Sequence, residues 1–205
     1  MPRIVLIFKQ IAYLCKAMNL QTLLDQYIHH PHLKELSAGF TLSQPKIKAQ
    51  LYGLKGSSVA FVAAAVWKLT NSSASENGAN HVIVLNDREE AAYFQNDLEL
   101  LTQGLDIHFF PDSFKKEGTF RQTNSSHIML RTEALSKLTH DRSAVVLVTY
   151  PDALFEKVIQ SGQLEGRTIH IKVNQNLDVN GLLGRLVDLG FRKEDFVYEP
   201  GQFAV

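Results

Sequence analysis

The 205-residue sequence has little of what defines several large protein classes. A single cysteine, Cys15, excludes an intramolecular disulfide framework and fits a reducing compartment such as the cytoplasm. Lysine plus arginine and aspartate plus glutamate each total 21, so no net charge attracts nucleic acid or acidic partners. The hydrophobic fraction of 45% and the charged fraction of 20% are ordinary for a soluble globular protein that buries a core.

The chain also lacks a long hydrophobic run. Apolar stretches occur in residues 1–17, but Lys9 and Lys16 interrupt them, so the segment is too short and too polar to span a membrane. No clear small-x-small cleavage site follows an unbroken apolar region, as it would in a signal peptide. We therefore interpret residues 1–17 as a doubtful leader and favour Met18 as the true start. An extension of the first amphipathic helix is the alternative.

Strand-like and helix-like segments alternate through most of the chain. Period-two alternation predicts a strand over 46–54, and short continuous apolar runs predict buried parallel strands over 81–85 and 144–149. A segment that is apolar on nearly every side predicts a buried helix over 57–69. The other predicted elements are a strand over 106–110 and helices near 20–28, 32–36, 87–101, 128–138 and 151–159. This order predicts an α/β fold with a mainly parallel sheet and helices on both faces.

The pattern changes after Gly162. Alternation predicts a strand over 168–173, followed by an amphipathic helix over 177–189 and a final strand over 196–198. A β-α-β piece of roughly forty residues is too small to bury a core by itself. We interpret it as the start of a second domain.

Three helix ends carry specific signals. Asp87 followed by Glu90 three residues later indicates a capping box at a helix start. Pro151 stands where the first turn of a helix accepts proline. Gly190 is well placed to end the helix predicted over 177–189.

A glycine-containing turn lies between the strand and helix predicted in LYGLKGSSVAFVA, residues 51–63. This is the context of a phosphate-binding loop, where backbone N–H groups and a helix N-terminus hold an anion. A working loop reads G-x-x-x-x-G-K-[ST], with the lysine on phosphate and the hydroxyl on Mg²⁺. Gly53 fits the first glycine. However, Ser58 replaces the second glycine, Val59 replaces the lysine and Ala60 replaces the hydroxyl.

Phosphoryl transfer depends on positioning and charge neutralisation, and this segment lacks the groups for both. We therefore interpret it as a degenerate phosphate loop that does not hydrolyse ATP. Its residues are Gly53, Gly56, Ser57, Ser58, Val59 and Ala60. On pattern alone, a plain strand–turn–helix junction with small residues for close packing is favoured. We expect no catalytic residue, no bound cofactor and no metal in this chain.

Two further candidate sites are weaker. His29, His30 and His32 form the only dense histidine group, but no cysteine accompanies them, and a solvated turn is favoured over a metal site. A hydrolytic site built on Ser57, Ser58 and Asp87 would lack both a G-x-S-x-G elbow and a positioned histidine.

A mildly basic loop is predicted after the strand over 106–110. It carries Lys115, Lys116 and Arg121, with Phe114 and Phe120 among them. Such a loop could contact a nucleic acid backbone. A solvated loop with two anchoring aromatic residues is the favoured interpretation.

An ordered series of segments resembles the N-terminal region of bacterial transcription-repair coupling factors (Mfd), which is similar to UvrB. In chain order these segments are GLKGSSVAF, VLNDREEAAYFQNDLELL, HFFPDSFKK, LRTEALSKL, VLVTYPDALFEKV and GFRKEDFVYEPGQFAV. The resemblance runs from about Leu33 to Val205. Each segment is modestly specific, whereas the series in this order and spacing is strongly specific.

The resemblance implies a RecA-like, P-loop-NTPase-like fold. UvrB-type proteins carry a working phosphate loop at the position of residues 53–60. Coupling factors carry a decayed copy there, and their motor, which uses ATP and Mg²⁺, lies far downstream. The implied domains are a degenerate RecA-like domain, similar to UvrB domain 1a, over 18–165 and the truncated start of a UvrA-binding domain, similar to UvrB domain 2, over 166–205.

The implied role is in transcription-coupled nucleotide excision repair, where the coupling factor, an ATP-dependent DNA translocase, recruits UvrA to stalled RNA polymerase. This chain would be a non-catalytic, cytoplasmic interaction scaffold without a membrane association. Family members continue after GQFAV with an arginine that helps to bind UvrA, so we expect an incomplete UvrA surface here. RNA polymerase and DNA would contact parts of the parent protein that are absent. The alternatives are an active UvrB- or helicase-type ATPase and a standalone α/β binding domain.

Overall fold

A computed structural model describes residues 3–7, 19–41, 48–71, 78–102, 104–117, 120–140, 143–166, 168–199 and 201–205. In chain order its elements are β1 (Arg3–Ile7), α1 (Leu20–His29), α2 (Pro31–Thr41), β2 (Lys48–Tyr52), α3 (Ser58–Asn71), β3 (His81–Val84), α4 (Arg88–Leu101), β4 (Ile107–Phe110), β5 (Phe114–Glu117), β6 (Phe120–Thr123), α5 (Ser125–His140), β7 (Val146–Thr149), α6 (Pro151–Leu154), α7 (Ser161–Gly166), α8 (Val179–Asp188), β8 (Arg192–Lys193) and β9 (Gln202–Phe203). The fold class is α/β, as predicted.

The chain divides into two compact units. Unit 1 comprises residues 1–109 and 141–151, and unit 2 comprises residues 110–140 and 152–205. The boundaries predicted for a RecA-like domain and a UvrA-binding domain stay predictions.

A three-stranded sheet in the order β3-β7-β4 lies in unit 1, and β1 and β2 form a separate parallel pair. Strands β3 and β7 run parallel, with His81 opposite Val146. Strand β7 is buried along its whole length, which confirms the buried strand predicted over 144–149. Strand β3 alternates instead, because Val82 is 55% and Val84 is 49% exposed. The prediction that residues 81–85 are covered on both faces is therefore wrong for the face that carries these two valines.

Helix α3 is the centre of helix packing in unit 1, where it contacts α1, α2 and α4. Small residues allow this close approach, and Ala60, Ala64 and Ala65 are almost fully buried. The Phe61 ring stacks on Tyr27 of α1 with ring centroids 5.2 Å apart. The helix predicted over 57–69 is thereby confirmed, one residue later at its start and two residues later at its end.

The helix-end signals are confirmed with small changes. Asp87 Oδ1 accepts the N–H of Glu90 at 2.8 Å, and the Glu90 carboxylate accepts the N–H of Asn86 at 3.0 Å. The reciprocal bond of the capping box thus goes to the residue before the N-cap. Helix α6 begins at Pro151 but ends at Leu154, earlier than the predicted residue 159.

Helix α8 ends in a Schellman motif. Gly190, with a φ of +89°, donates to the Val187 carbonyl at 2.9 Å, and Phe191 donates to the Leu186 carbonyl at the same distance. The cap residue itself is Leu189, and the glycine follows it. The glycine is needed because a side chain at this positive φ would be strained.

The strands predicted over 168–173 and 196–198 are not found. Two-residue strands β8 and β9 pair in parallel instead, with Arg192 opposite Gln202. A strand forms only where a neighbour accepts its backbone hydrogen bonds, and no described segment pairs with residues 168–173. Helix α8 accordingly has no buried residue.

Candidate functional site

The turn between β2 and α3 has the strand–turn–helix form that the sequence predicts. Gly53 and Gly56 adopt φ values of +82° and +55°, in the left-handed region that favours glycine. Strand β2 ends at Tyr52 and helix α3 begins at Ser58. Residues 46 and 47 of the predicted strand lie outside the described residues.

Ser58 forms two hydrogen bonds to the backbone of Lys55 within this turn. Its hydroxyl oxygen accepts the N–H of Lys55 at 2.7 Å, and the hydroxyl donates to the Lys55 carbonyl at 2.8 Å. A phosphate loop works by leaving its backbone N–H groups free to face an anion. Here a side chain of the chain itself satisfies one of those groups.

Val59 and Ala60 differ sharply in exposure. Val59 is 38% exposed, whereas Ala60 is only 1% exposed and packs in the core of unit 1. In a working loop, position 60 carries the hydroxyl that binds Mg²⁺. The backbone directs this position into the helix packing, so even a hydroxyl at residue 60 would lie in the core. Gly56 and Ser57 are exposed but bring no charge.

An apolar groove of about 670 Å³ adjoins the turn. Helix α3 contributes Val59, Val62 and Val66 to its surface, and strands β2 and β3 contribute Leu51 and Val82. Lys48 is the only lysine, arginine or acidic residue in the described lining. A triphosphate needs cations and hydrogen-bond donors to replace its hydration, and an apolar surface offers neither.

His81 lies at the edge of this groove. Its Nε2 lies 3.0 Å from Thr70 Oγ1, and burial lowers the pKa of the imidazole. Thr70 also donates to the Val66 carbonyl at 2.9 Å. This polar pair joins the end of α3 to the start of β3.

The other predicted candidates are placed as follows. His29 Nδ1 lies 2.7 Å from the Asp25 carbonyl, and the His30 and His32 rings are 5.2 Å apart. Burial lowers the pKa of His30, with a smaller effect from His32. Within the described residues, no group of three or more histidine, cysteine, aspartate or glutamate side chains is arranged to hold a metal ion.

The predicted basic loop is a β-hairpin of strands β5 and β6. Its base is fixed by charged residues that the sequence analysis missed. Both oxygens of Glu156 accept the N–H of Ser113, at 2.9 and 3.0 Å. Arg131 Nη1 donates to the carbonyls of Pro111 at 2.6 Å and Ala153 at 3.1 Å. The signal that could have found Arg131 is a charge within the apolar periodicity of α5, between Leu130 and Ala134.

Comparisons with known proteins do not assign the chain to a family. No protein-family model matches the sequence, and no curated protein matches it significantly. Among the described residues, no helix has both the length and the apolar character needed to cross a bilayer.

Proposed function

We propose that this chain is a non-catalytic protein-interaction scaffold, the UvrB-like part of a transcription-repair coupling factor that recruits UvrA during transcription-coupled nucleotide excision repair. The proposal combines the ordered series of sequence segments with the geometry of the turn at residues 53–60. RNA polymerase, DNA and ATP would be bound elsewhere in the parent protein, and the chain would act in the cytoplasm.

The observation that carries the proposal is the turn at residues 53–60, where the Ser58 side chain satisfies a backbone N–H. Ser58 takes the Lys55 N–H that an anion would need, and Ala60 lies in the core. A RecA-like domain that keeps the strand–turn–helix junction without its chemistry fits a scaffold better than a motor.

Exposed apolar residues in unit 2 support a binding role. Val173 is 92%, Phe196 is 70% and Tyr198 is 82% exposed. The Phe196 and Tyr198 rings lie 6.4 Å apart, and exposed aromatic residues are enriched in interfaces. We place the UvrA contact on the segment around Phe196 and Tyr198.

Binding to purified UvrA tests the proposal directly. Biolayer interferometry with the immobilised chain should give saturable binding that is weaker than a complete UvrA surface would give. Phe196→Ala with Tyr198→Ala should weaken it further, by about tenfold or more, as expected for aromatic anchors. Tyr93→Ala is the matched control, because Tyr93 is a 75% exposed tyrosine in unit 1. It should change affinity by less than about twofold. Absence of UvrA binding, or an equal effect of both variants, would contradict the proposal.

A nucleotide titration separates the scaffold from the ATPase alternative. The strand–turn–helix junction and its two positive-φ glycines are the observations that favour an ATPase. Calorimetry with ATP and Mg²⁺ should show no binding at millimolar nucleotide. Magnesium-dependent heat that saturates would favour the ATPase.

A further inference from the structure

The β2–α3–β3 segment has the chain order of a parallel sheet but not its pairing. A strand–helix–strand crossover normally joins parallel strands of one sheet. Here β2 pairs with β1, whereas β3 pairs with β7, so the two strands belong to separate sheets. The apolar groove of about 670 Å³ is lined by both strands and by α3, the helix that connects them. Among the described strands, none pairs with both β2 and β3.

Strand β3 presents an open edge at this groove. The His81 N–H donates to the Val145 carbonyl at 2.9 Å, and the Leu85 N–H donates to the same neighbouring strand at the same distance. Alternate residues of a strand direct their backbone groups to the same side. The N–H and C=O groups of Val82 and Val84 therefore point away from β7, where the described part of the sheet has no further strand.

This edge lacks the features that normally protect an edge strand. Exposed edges usually carry a lysine, another charged residue or a proline, which prevents pairing with a foreign strand. Residues 78–86 contain no lysine, arginine, aspartate, glutamate or proline. The residues at the edge are instead Val82 and Val84, whose side chains are about half exposed. An additional strand would therefore meet no repulsion along β3.

The groove offers apolar contacts to both faces of an added strand. Ile83 lines a narrow cavity together with Ala63 and Ala64 of α3, so its side chain faces the helix. Because side chains alternate along a strand, Val82 and Val84 point to the opposite face. An added strand would have one set of side chains against α3 and the other beside these valines. Its residues would therefore be apolar at successive positions, as in strands of parallel sheets.

The position of β2 limits the size of the occupant. Ala49 and Leu51 of β2 line the same groove as Val82 and Ile83 of β3, so one strand lies along each side. Strand β3 of a second copy would bring its own β7, which is paired along its other edge, into the place of β2. An isolated extended segment has no such neighbour. The groove therefore fits a single strand rather than the edge of another sheet.

Charge distinguishes the two ends of the groove. Helix α3 returns the chain from the end of β2 to the start of β3, so Lys48 and His81, the first residues of these strands, mark the same end. Lys48 is exposed and is the only lysine, arginine or acidic residue in the described lining. A carboxylate at the N-terminal end of a parallel added strand would complement this charge.

We propose that the groove binds an extended apolar segment of a partner protein as an added strand, parallel to β2 and β3, with a carboxylate near Lys48. Strand addition of this kind gains affinity from main-chain hydrogen bonds and specificity from the pockets that receive alternate side chains. Val82 and Val84 supply the main-chain groups. The inference does not depend on the UvrA contact, which we place on unit 2.

Fluorescence anisotropy with a labelled peptide tests the proposal on the whole chain. The probe has an N-terminal aspartate, five valine or isoleucine residues and a C-terminal serine amide, which is about the length of a typical strand. We expect saturable binding. The same peptide N-methylated at its five apolar residues keeps their side chains but loses their N–H donors. It should bind about tenfold more weakly or worse, because at least two hydrogen bonds are lost.

Matched substitutions locate the site. Val82→Lys places a charge on the open edge and should weaken peptide binding by about tenfold or more. Val158→Lys, at a valine of similar exposure in unit 2, should change the affinity by less than about twofold. Lys48→Gln should weaken binding by about two- to fivefold, as expected for an exposed ion pair, whereas Lys34→Gln, at an exposed position of α2, should not.

Three outcomes would overturn the proposal. The first is no saturable binding of the unmethylated peptide. The second is equal affinity for the methylated peptide, which would show that the groove takes apolar ligands without strand pairing; this comparison uses the wild-type chain and does not depend on how a variant folds. The third is equal weakening by Val82→Lys and Val158→Lys, which would place the peptide elsewhere.

Discussion

Both oxygens of the Glu156 carboxylate accept the Ser113 N–H, at 2.9 and 3.0 Å, although the two residues are 43 positions apart in the sequence. The same carboxylate lies 3.5 Å from Nη2 of the buried Arg131, whose guanidinium sits 4.0 Å from the centre of the Phe110 ring. Backbone carbonyls of two segments complete the coordination of Arg131. Glu156 therefore serves as an acceptor for a backbone donor and as the counterion of a buried cation.

Glu156→Ala should destabilise the chain by about 2 kcal/mol, because it leaves a buried guanidinium without its counterion and a backbone N–H without its acceptor. The cost lies below that of a fully buried pair, since the Glu156 side chain is 19% exposed. Urea unfolding followed by circular dichroism measures it. Glu133→Ala, at an exposed position of α5, should stay within about 0.5 kcal/mol of the wild type. Equal effects of the two variants would show that the contacts of Glu156 contribute nothing.

Stability should fall as the pH drops below about 6.5, the value at which an unperturbed histidine titrates. Burial lowers the pKa of His81 in the folded state, so the unfolded chain binds a proton that the folded chain disfavours. The loss of stability stops below the pKa that His81 has in the folded state. One histidine changes the free energy of unfolding by at most about 1.4 kcal/mol per pH unit. Urea midpoints at pH 7.5, 6.5 and 5.5 provide the test.

His81→Gln should flatten this pH dependence. Some slope should remain, because burial also lowers the pKa of His30. An unchanged slope in His81→Gln would refute the role of His81.

Restoring the phosphate-loop sequence should not restore nucleotide binding. The variant Ser58→Gly, Val59→Lys and Ala60→Thr reads G-x-x-x-x-G-K-T from Gly53. However, threonine at residue 60 would overpack a site that is 1% exposed, at a cost of about 1–3 kcal/mol. Removing the Ser58 hydroxyl costs a further ~1 kcal/mol, because its two bonds to Lys55 are lost. Thermal melting should show the loss, and calorimetry with ATP and Mg²⁺ should stay flat. Tight ATP binding by this variant would show that the backbone still forms a phosphate site.

Two glycines of the α8 region should respond oppositely to alanine. Gly190→Ala places a Cβ at a φ of +89° and should cost about 1–2 kcal/mol. Gly184→Ala lies within the helix with open space around it, and should stabilise by about 0.5–1 kcal/mol. Hydrogen exchange of α8 amides would measure both effects locally. The same sign for both would contradict the Schellman geometry.

Local signals in the sequence predict the unit 1 elements well. The apolar run over 144–149 identifies β7 because a strand buried on both faces must be apolar at every position. The Asp87–Glu90 pair identifies the start of α4 because a helix leaves N–H groups that a side chain must satisfy. Both inferences depend on residues a few positions apart.

Features that depend on distant residues are missed. Alternation over 168–173 predicts a strand, but its formation depends on a neighbour that the pattern does not reveal. The degenerate turn lies between these cases. The sequence shows that its phosphate chemistry is missing, whereas the bonds from Ser58 to Lys55 and the burial of Ala60 appear only in three dimensions.

The order of strands in the unit 1 sheet also determines how long each strand waits for its partner during translation. Strands β3 and β4 are neighbours of β7 and not of each other, and β7 begins about 36 residues after β4 ends. At translation rates of about 5–20 residues per second, β4 waits roughly 2–7 seconds for the strand that joins them, and β3, which ends at Val84, waits roughly 3–12 seconds. During that interval the apolar residues of both strands have no sheet partner, so a nascent chain stalled before residue 146 should be a substrate for chaperones.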